Sequence, residues 1–375
     1  MTLVRLRLWS EVGSRVALAR KRAGFTQREL GERIGTHRTT VARIELGQRQ
    51  LDALELARLA ETFGRSVEWF LTEPPAAIAS RRDGLSPDQN VRVLDDELER
   101  VGRGVELLTD VHALSLVSTT VQAGVTTLDE AESEALHARA ALNVGDGPLP
   151  DLQKAVEGLG LLAFSLDLGP SVIDGGYVRV GDVGVALVNG AVDAGRRRFN
   201  LAHELGHHVL ADEYTPDLGI SATRDEREAL INAFAVHFLM PGASVRKRWS
   251  ELSEEYEDVR TRLIVLAAEY RVSWSAAISH ATTLGLIDQT EFAALQSRRP
   301  TRADYFELGV QLTEELQPTA LAPSYSQAAV RAYRRGLISS DRAVELLRET
   351  VAREDLPRPH ETPVEALSTE FQSIG

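Results

Sequence analysis

Arg198-Phe199-Asn200-Leu201-Ala202-His203-Glu204-Leu205-Gly206-His207 decides how this chain reads, together with Glu228-Ala229-Leu230-Ile231-Asn232-Ala233-Phe234-Ala235-Val236-His237-Phe238-Leu239-Met240-Pro241 further along. The first stretch predicts a helix from Phe199 to Leu210, on which positions i and i+4 share a face, so His203 and His207 can bind one metal ion. Glu204 sits beside them, where its carboxylate can act as general base on water while the metal polarises a carbonyl. A catalytic zinc site takes three protein ligands and keeps one position open, so another element must supply the third. Glu228, at the start of the second helix, is the best candidate, with Asp225 and Glu226 beside it as alternatives. Asn232 lies one turn on from Glu228, placed to hydrogen-bond that carboxylate or a ligand histidine. His208 turns about 100° away from His207, and His237 falls opposite Glu228, so both read as structural. Tyr214 is a weaker candidate for stabilising an oxyanion.

Outward from these helices the pattern changes. Residues 129–142 read as a helix, and so do Asp151 to Glu157, capped by the acid after Pro150. Leu161–Phe164, Gly176–Val180 and Val183–Asn189 are β-rich and glycine-punctuated, the last two joined by Gly181-Asp182. A small sheet therefore precedes the histidine helix. Beyond it, Leu263–Tyr270 and Trp274–Leu284, capped by Ser273, complete a domain. Val91, Leu94, Leu98, Val101, Val105, Leu108, Val111 and Leu114 recur at helical spacing within residues 88–123. They predict a long helix or helix pair, either a spacer or a partner-binding, dimerising element. From Arg299 the chain is acidic and helical again over Ser326–Arg335 and Asp341–Arg353, and Pro357–Pro363 reads as an exposed connection.

The chain of 375 residues is long for one domain at roughly 100–200 residues each. It contains no cysteine, which excludes disulfides and thiolate metal sites and leaves His, Asp and Glu as ligands. No signal segment and no long apolar run is read, which predicts a cytoplasmic protein without a membrane partner. The net charge of −13 taken alone argues against nucleic acid. Its distribution reverses that: residues 1–72 hold 13 Lys and Arg against 8 Asp and Glu, and the remainder holds 29 against 47.

The basic end reads as five short helices. Gly24 stops the first. Thr26-Gln27-Arg28-Glu29 has the form of a capping box that starts a second helix, which runs to Gly35; a third, Thr39 to Glu45, ends at Gly47. Two short helices around a glycine turn suit a helix-turn-helix, whose second member enters the major groove. His37, Arg38, Thr39, Thr40 and Arg43 would then face DNA.

Phe25-Thr26-Gln27-Arg28-Glu29-Leu30, Val41-Ala42-Arg43-Ile44-Glu45-Leu46-Gly47 and Leu56-Ala57-Arg58-Leu59-Ala60 resemble the Cro/repressor-type helix-turn-helix family. The resemblance implies a backbone contact from Gln27 and base or phosphate contacts from residues 37–40 and 43. The two metal-site stretches, over about residues 130–245, resemble the ImmA/IrrE metallo-endopeptidases. That family implies a zincin-like fold binding one Zn²⁺, with His203, His207 and Glu228 as ligands and Glu204 as general base; Ile231 departs from the usual Ala before Asn232. By analogy with zincin folds, Val183–Asn189 is expected to be an edge strand that takes extended substrate by β-augmentation.

The expected fold is mainly α with a small β-sheet: a five-helix helix-turn-helix domain over 1–73 and a linker with a helical middle region over 74–128. An α+β zincin-like peptidase domain over 129–290 and an acidic helical C-terminal region over 291–375 follow. The expected function is a transcriptional regulator that binds a double-stranded operator as a homodimer. It cleaves a repressor-type protein or itself, and its protein substrate or partner is repressor- or toxin-like. The alternative is a non-catalytic regulator or antitoxin that uses the peptidase fold as sensor or scaffold.

Overall fold

The computed structural model describes residues 8–65, 67–72, 89–115, 124–169, 174–210 and 224–359. Val91's side chain, residues 116–123, Tyr214 and 360–363, all read above, lie outside the described residues. The chain divides into an N-terminal unit and a larger unit that runs from Leu94 onward.

The N-terminal unit holds Trp9–Arg22 (α1), Gln27–Ile34 (α2), Arg38–Glu45 (α3), Ala53–Phe63 (α4) and Val67–Leu71 (α5). Its boundaries follow from local chemistry. Thr26 Oγ1 accepts from the Glu29 amide while the Glu29 carboxylate accepts from the Thr26 amide, and Gly35 ends α2 in the left-handed region at φ 72°. The third helix starts one residue earlier than expected, with His37 as its N-cap. Val16, Leu30, Val41, Ile44, Leu59 and Phe70 form the core. Gly13 lets α1 meet α3 backbone to side: a Cβ there would lie 2.2 Å from the Ile44 carbonyl oxygen.

The larger unit begins in Gln89–Asp110 (α6), Leu128–Ala141 (α7) and Leu152–Glu157 (α8), then Leu161–Leu166 (β1), Gly175–Val180 (β2) and Val183–Asn189 (β3). Ala194–Val209 (α9), Arg224–Leu239 (α10), Gly242–Glu255 (α11), Val259–Glu269 (α12), Trp274–Thr283 (α13), Gln289–Gln296 (α14) and Arg302–Glu307 (α15) follow. Pro323–Arg334 (α16) and Ser340–Leu346 (α17) complete the helices used below.

The sheet runs β1-β3-β2, with β1 parallel and β2 antiparallel to β3. Val183–Asn189 is thus the central strand and not the edge expected; the edge beside the histidine helix is β2. The physical reason is visible in the side chains. Ala186 and Val188 enter one core with Leu201, Leu205, Phe234 and Phe238. Val185 and Leu187 enter a second core with Leu94, Leu98, Val105 and Tyr325. A strand buried on both faces carries a continuous apolar run, and such strands sit inside sheets.

This second core draws in two stretches whose packing the sequence leaves open. In the helical middle region, Leu94, Leu98, Val101, Val105 and Leu108 cover the far face of the sheet. From the acidic, helical C-terminal region, Ala322, Tyr325, Ala328, Ala329 and Ala332 fill the same core. A strap before α16 ties this layer to α9. Arg197 donates to the Glu314 carboxylate at 2.6 Å, and the fully buried Arg198 guanidinium pairs with Glu315. Glu315 also accepts from the Leu152 amide, Ser165 Oγ donates to the Leu316 carbonyl at 2.7 Å, and Ala320 bridges to Ser165 on β1. Burial disfavours the Arg198 charge, and Glu315 is the counter-charge that offsets it.

Candidate metal centre and DNA-facing helix

Asp193 caps α9, its carboxylate accepting from the Arg196 amide at 3.0 Å, so the helix starts earlier than the motif alone suggests. Gly206 sets the approach of α10: a Cβ there would lie 2.9 Å from Ile231 Cγ2. That close crossing brings His203, His207 and Glu228 together, with one ligand atom from each all within 4.8 Å of one another. His203 and His207 direct their Nε2 atoms at each other, 3.2 Å apart, and His203 Nε2 lies 3.4 Å from Glu228 Oε2. These are the edges of a tetrahedron, about 3.3 Å, that metal–ligand bonds of about 2.0–2.1 Å would generate. Glu228 Oε1 is buried and has no hydrogen-bond partner. Two imidazole nitrogens and a carboxylate, one of whose oxygens is buried without a hydrogen-bond partner, fit a divalent cation.

Asn232 Oδ1 lies 3.1 Å from His203 Nδ1. A carbonyl oxygen only accepts, so Nδ1 carries the proton and Nε2 presents its lone pair to the centre. Asp225 and Glu226 are exposed in the first turn of α10 and do not join the cluster. Glu204 is buried and points toward β2, where a Cβ on Gly175 would come within 3.1 Å of its Oε1.

The two histidines set aside by spacing are buried and engaged elsewhere. His208 holds Tyr177 Oη at 2.9 Å and the Leu159 carbonyl at 2.9 Å, and burial pushes its pKa down to about 4. His237 Nδ1 lies 3.2 Å from Glu132 and its ring stands edge-on to His280. Burial, reinforced by His237, lowers the His280 pKa to about 4. Phe199, Asn232, His237, Trp274, His280 and Tyr305 help wall a cleft of about 1280 Å³, and Asn232 is also the residue that meets His203 Nδ1.

In the N-terminal unit, His37, Arg38, Thr39 and Arg43 are exposed at the start and along one side of α3, and Thr40 is half-buried. Gln27, at the first position of α2, donates from Nε2 to Glu45 Oε2 at 2.8 Å. Arg20 grips the same carboxylate through Nε at 2.5 Å and Nη2 at 3.0 Å. One half-buried acid therefore ties α1, α2 and α3 together. Sequence reading placed Gln27 on DNA without seeing this tether; three polar residues far apart in sequence carry no local pattern.

Residues 156–280 match the family model of the IrrE N-terminal-like domain of the M78 peptidases, and residues 16–70 match that of the helix-turn-helix. The chain joins a helix-turn-helix domain to an IrrE N-terminal-like domain. The IrrE-like match runs from α8 to α13 and so contains the sheet, α9 and α10, while α6, α7 and α16 lie outside it. The larger unit has a metallopeptidase-type fold. No curated protein matches the sequence. Among solved structures, the crystal structure of Bacillus thuringiensis PlcR in complex with the peptide PapR7 and DNA aligns with 91% of this chain and 92% of that chain. The two share 12% identity, with a TM-score of 0.16.

Proposed function

We propose that the protein is a DNA-binding regulator whose IrrE-like domain is a zinc endopeptidase acting on a repressor-type protein or on the chain itself. The convergence of His203, His207 and Glu228 beside Glu204 carries this reading. Zinc bound there supplies a Lewis acid for the scissile carbonyl and makes water more acidic. Glu204 takes the proton from the attacking water and returns it to the leaving amine. Asn232 fixes the tautomer of His203. In the N-terminal domain, His37, Arg38, Thr39, Thr40 and Arg43 reach bases and phosphates, and Gln27 braces the first turn of α2 at the backbone of a two-half-site operator bound by a homodimer.

The test combines metal analysis with Glu204→Gln. Purified protein is expected to hold one Zn²⁺ per chain, and so is the variant. Co-expression with repressor-type proteins encoded beside it, or incubation of the protein alone, is expected to give fragments with the parent and none with the variant. Zinc without any Glu204-dependent fragment would leave a regulator that uses the fold as sensor or scaffold.

A further inference from the structure

The cleft walled by Phe199, Trp274 and Tyr305 changes in character from one end to the other. At one end the N-termini of α9 and α13 converge: a Cβ on Gly195 would lie 2.5 Å from the Ser273 amide nitrogen. Asp193 and Ser273 each cap one amide, those of Arg196 and Ala276. The earlier amides of both first turns point out of the helices, whose N-termini carry partial positive charge. Arg271, two residues before Ser273, donates to the Pro150 carbonyl, which leaves its charge uncompensated. Arg299 adds a second guanidinium to the same cleft. Among the described residues neither has a carboxylate in salt-bridge range. The acids nearby are already engaged, Glu314 by Arg197 and Asp193 by the Arg196 amide, while Arg196 is itself held by Asp174. An anion is what this end lacks.

The far end lacks something else. His280 lies seven residues along α13 from Ser273, and so about 10 Å away, and is 2% exposed. Its Nε2 donates to the Met240 carbonyl, so Nδ1 holds a lone pair, and that nitrogen has no partner. Glu132 stands 3.2 Å from His237, whose pKa is lowered by burial, so the ring does not neutralise the carboxylate. Arg246, held on the Leu284 carbonyl beside His280, offsets it instead. This end carries no net charge and offers acceptors.

We propose that the cleft binds a nucleoside monophosphate whose base carries an exocyclic amine. The phosphate takes Arg271, Arg299 and the first-turn amides of α9 and α13, and the base lies among Phe199, Trp274 and Tyr305. The amine donates toward Glu132 and His280. Inorganic phosphate would leave the aromatic walls and the acceptors unused, and a peptide would bring an ammonium to an end without net negative charge. Binding needs no chemistry at the metal centre, although Asn232, which walls the cleft, also meets His203.

Calorimetry on full-length protein loaded with Zn²⁺ tests the assignment with two pairs of probes, AMP with IMP and CMP with UMP, which differ in an amine replaced by a carbonyl. In at least one pair the amine-bearing member is expected to bind, and its partner, the matching nucleoside and inorganic phosphate to bind about tenfold weaker or less, the scale of one lost hydrogen bond to a charged group. Ser275→Glu puts a carboxylate in the first turn of α13, where the helix accepts it and a phosphate does not. It is expected to weaken the nucleotide about tenfold or more, as is Arg271→Gln, with zinc content and melting temperature unchanged. Should Arg271→Gln lower the melting temperature, Ser275→Glu decides. Glu132→Lys exchanges an acceptor for a donor on a half-buried side chain and is expected to reverse the order within the pair. The assignment is overturned if neither AMP nor CMP binds, if the amine-free members bind equally well, or if Ser275→Glu leaves affinity unchanged. Tighter binding of an Ala-Phe-Ala tripeptide would make the cleft a peptide site, and displacement of the nucleotide by excess acetohydroxamate would put its phosphate on the metal; either result also overturns it.

Discussion

His203 and His207 were legible because one helical turn separates them, and a spacing rule needs no knowledge of the rest of the fold. Glu228 and Asn232 were readable as candidates, but the choice among Asp225, Glu226 and Glu228 depends on where α10 crosses α9, which no local pattern contains. His208 could be read only as facing away from the metal; Tyr177 and Leu159, which await it, are distant in sequence. At this scale Asn232→Ala is expected to lower zinc affinity by about 10–100-fold, read by competition with a chromophoric chelator, because the His203 tautomer is no longer fixed. The second expectation concerns acid. His280 is 2% exposed, faces His237 and Arg246, donates to the Met240 carbonyl, and has its pKa lowered to about 4, while Glu132 stands beside His237. The fold therefore favours neutral His280, whereas the unfolded chain takes up a proton near pH 6.5. Stability from this site is complete above about pH 6.5 and is lost progressively as pH falls toward 4, by up to about 3 kcal/mol. His280→Gln is expected to flatten the fall in melting temperature across that window; an unchanged slope would remove His280 as its source.

Elements were easier to find than to place. Most of the helices read from periodicity, and the Gly181-Asp182 hairpin read from turn chemistry, are present within a few residues, but the helix expected over Asp341–Arg353 ends at Leu346, and Gly242–Glu255, Gln289–Gln296 and Arg302–Glu307 were not read as helices. Strand order does not follow from position along the chain. The signal that could have found it is in β3 itself, where Val183-Gly184-Val185-Ala186-Leu187-Val188 lacks the alternation of a half-exposed strand. The spacing of Leu94 through Leu108 likewise announced an apolar face without saying that a sheet would cover it. The α9–α10 crossing gives the test at this scale. Gly206→Ala places a methyl group 2.9 Å from Ile231 Cγ2 and is expected to push the helices apart. Zinc affinity should fall by about tenfold or more as Glu228 leaves the histidines. Equal zinc affinity and melting temperature in Gly206→Ala would show that the crossing is not tight.

For the whole molecule, the sequence signal that survived best was charge: residues 1–72 carry net +5 within a chain of −13. Two separate cores make the two proposed activities separable by mutation. Arg43→Ala is expected to cost about 1–3 kcal/mol in operator affinity and to reduce the salt dependence of binding, measured by fluorescence anisotropy on a selected site. Zinc content should not change; a variant that loses both would tie the two halves together. The layer formed by α6 and α16 has a consequence in time. Every residue of the N-terminal core lies before residue 72, whereas the cover of the sheet's far face, begun by Leu94 to Leu108, is complete only when Ala322 to Ala332 have been made. Domains fold as they leave the ribosome, N-terminal first. A growing chain thus finishes its helix-turn-helix half while the strap bearing Glu314 and Glu315 is still unsynthesised, so the proposed operator binding would mature before the proposed peptidase.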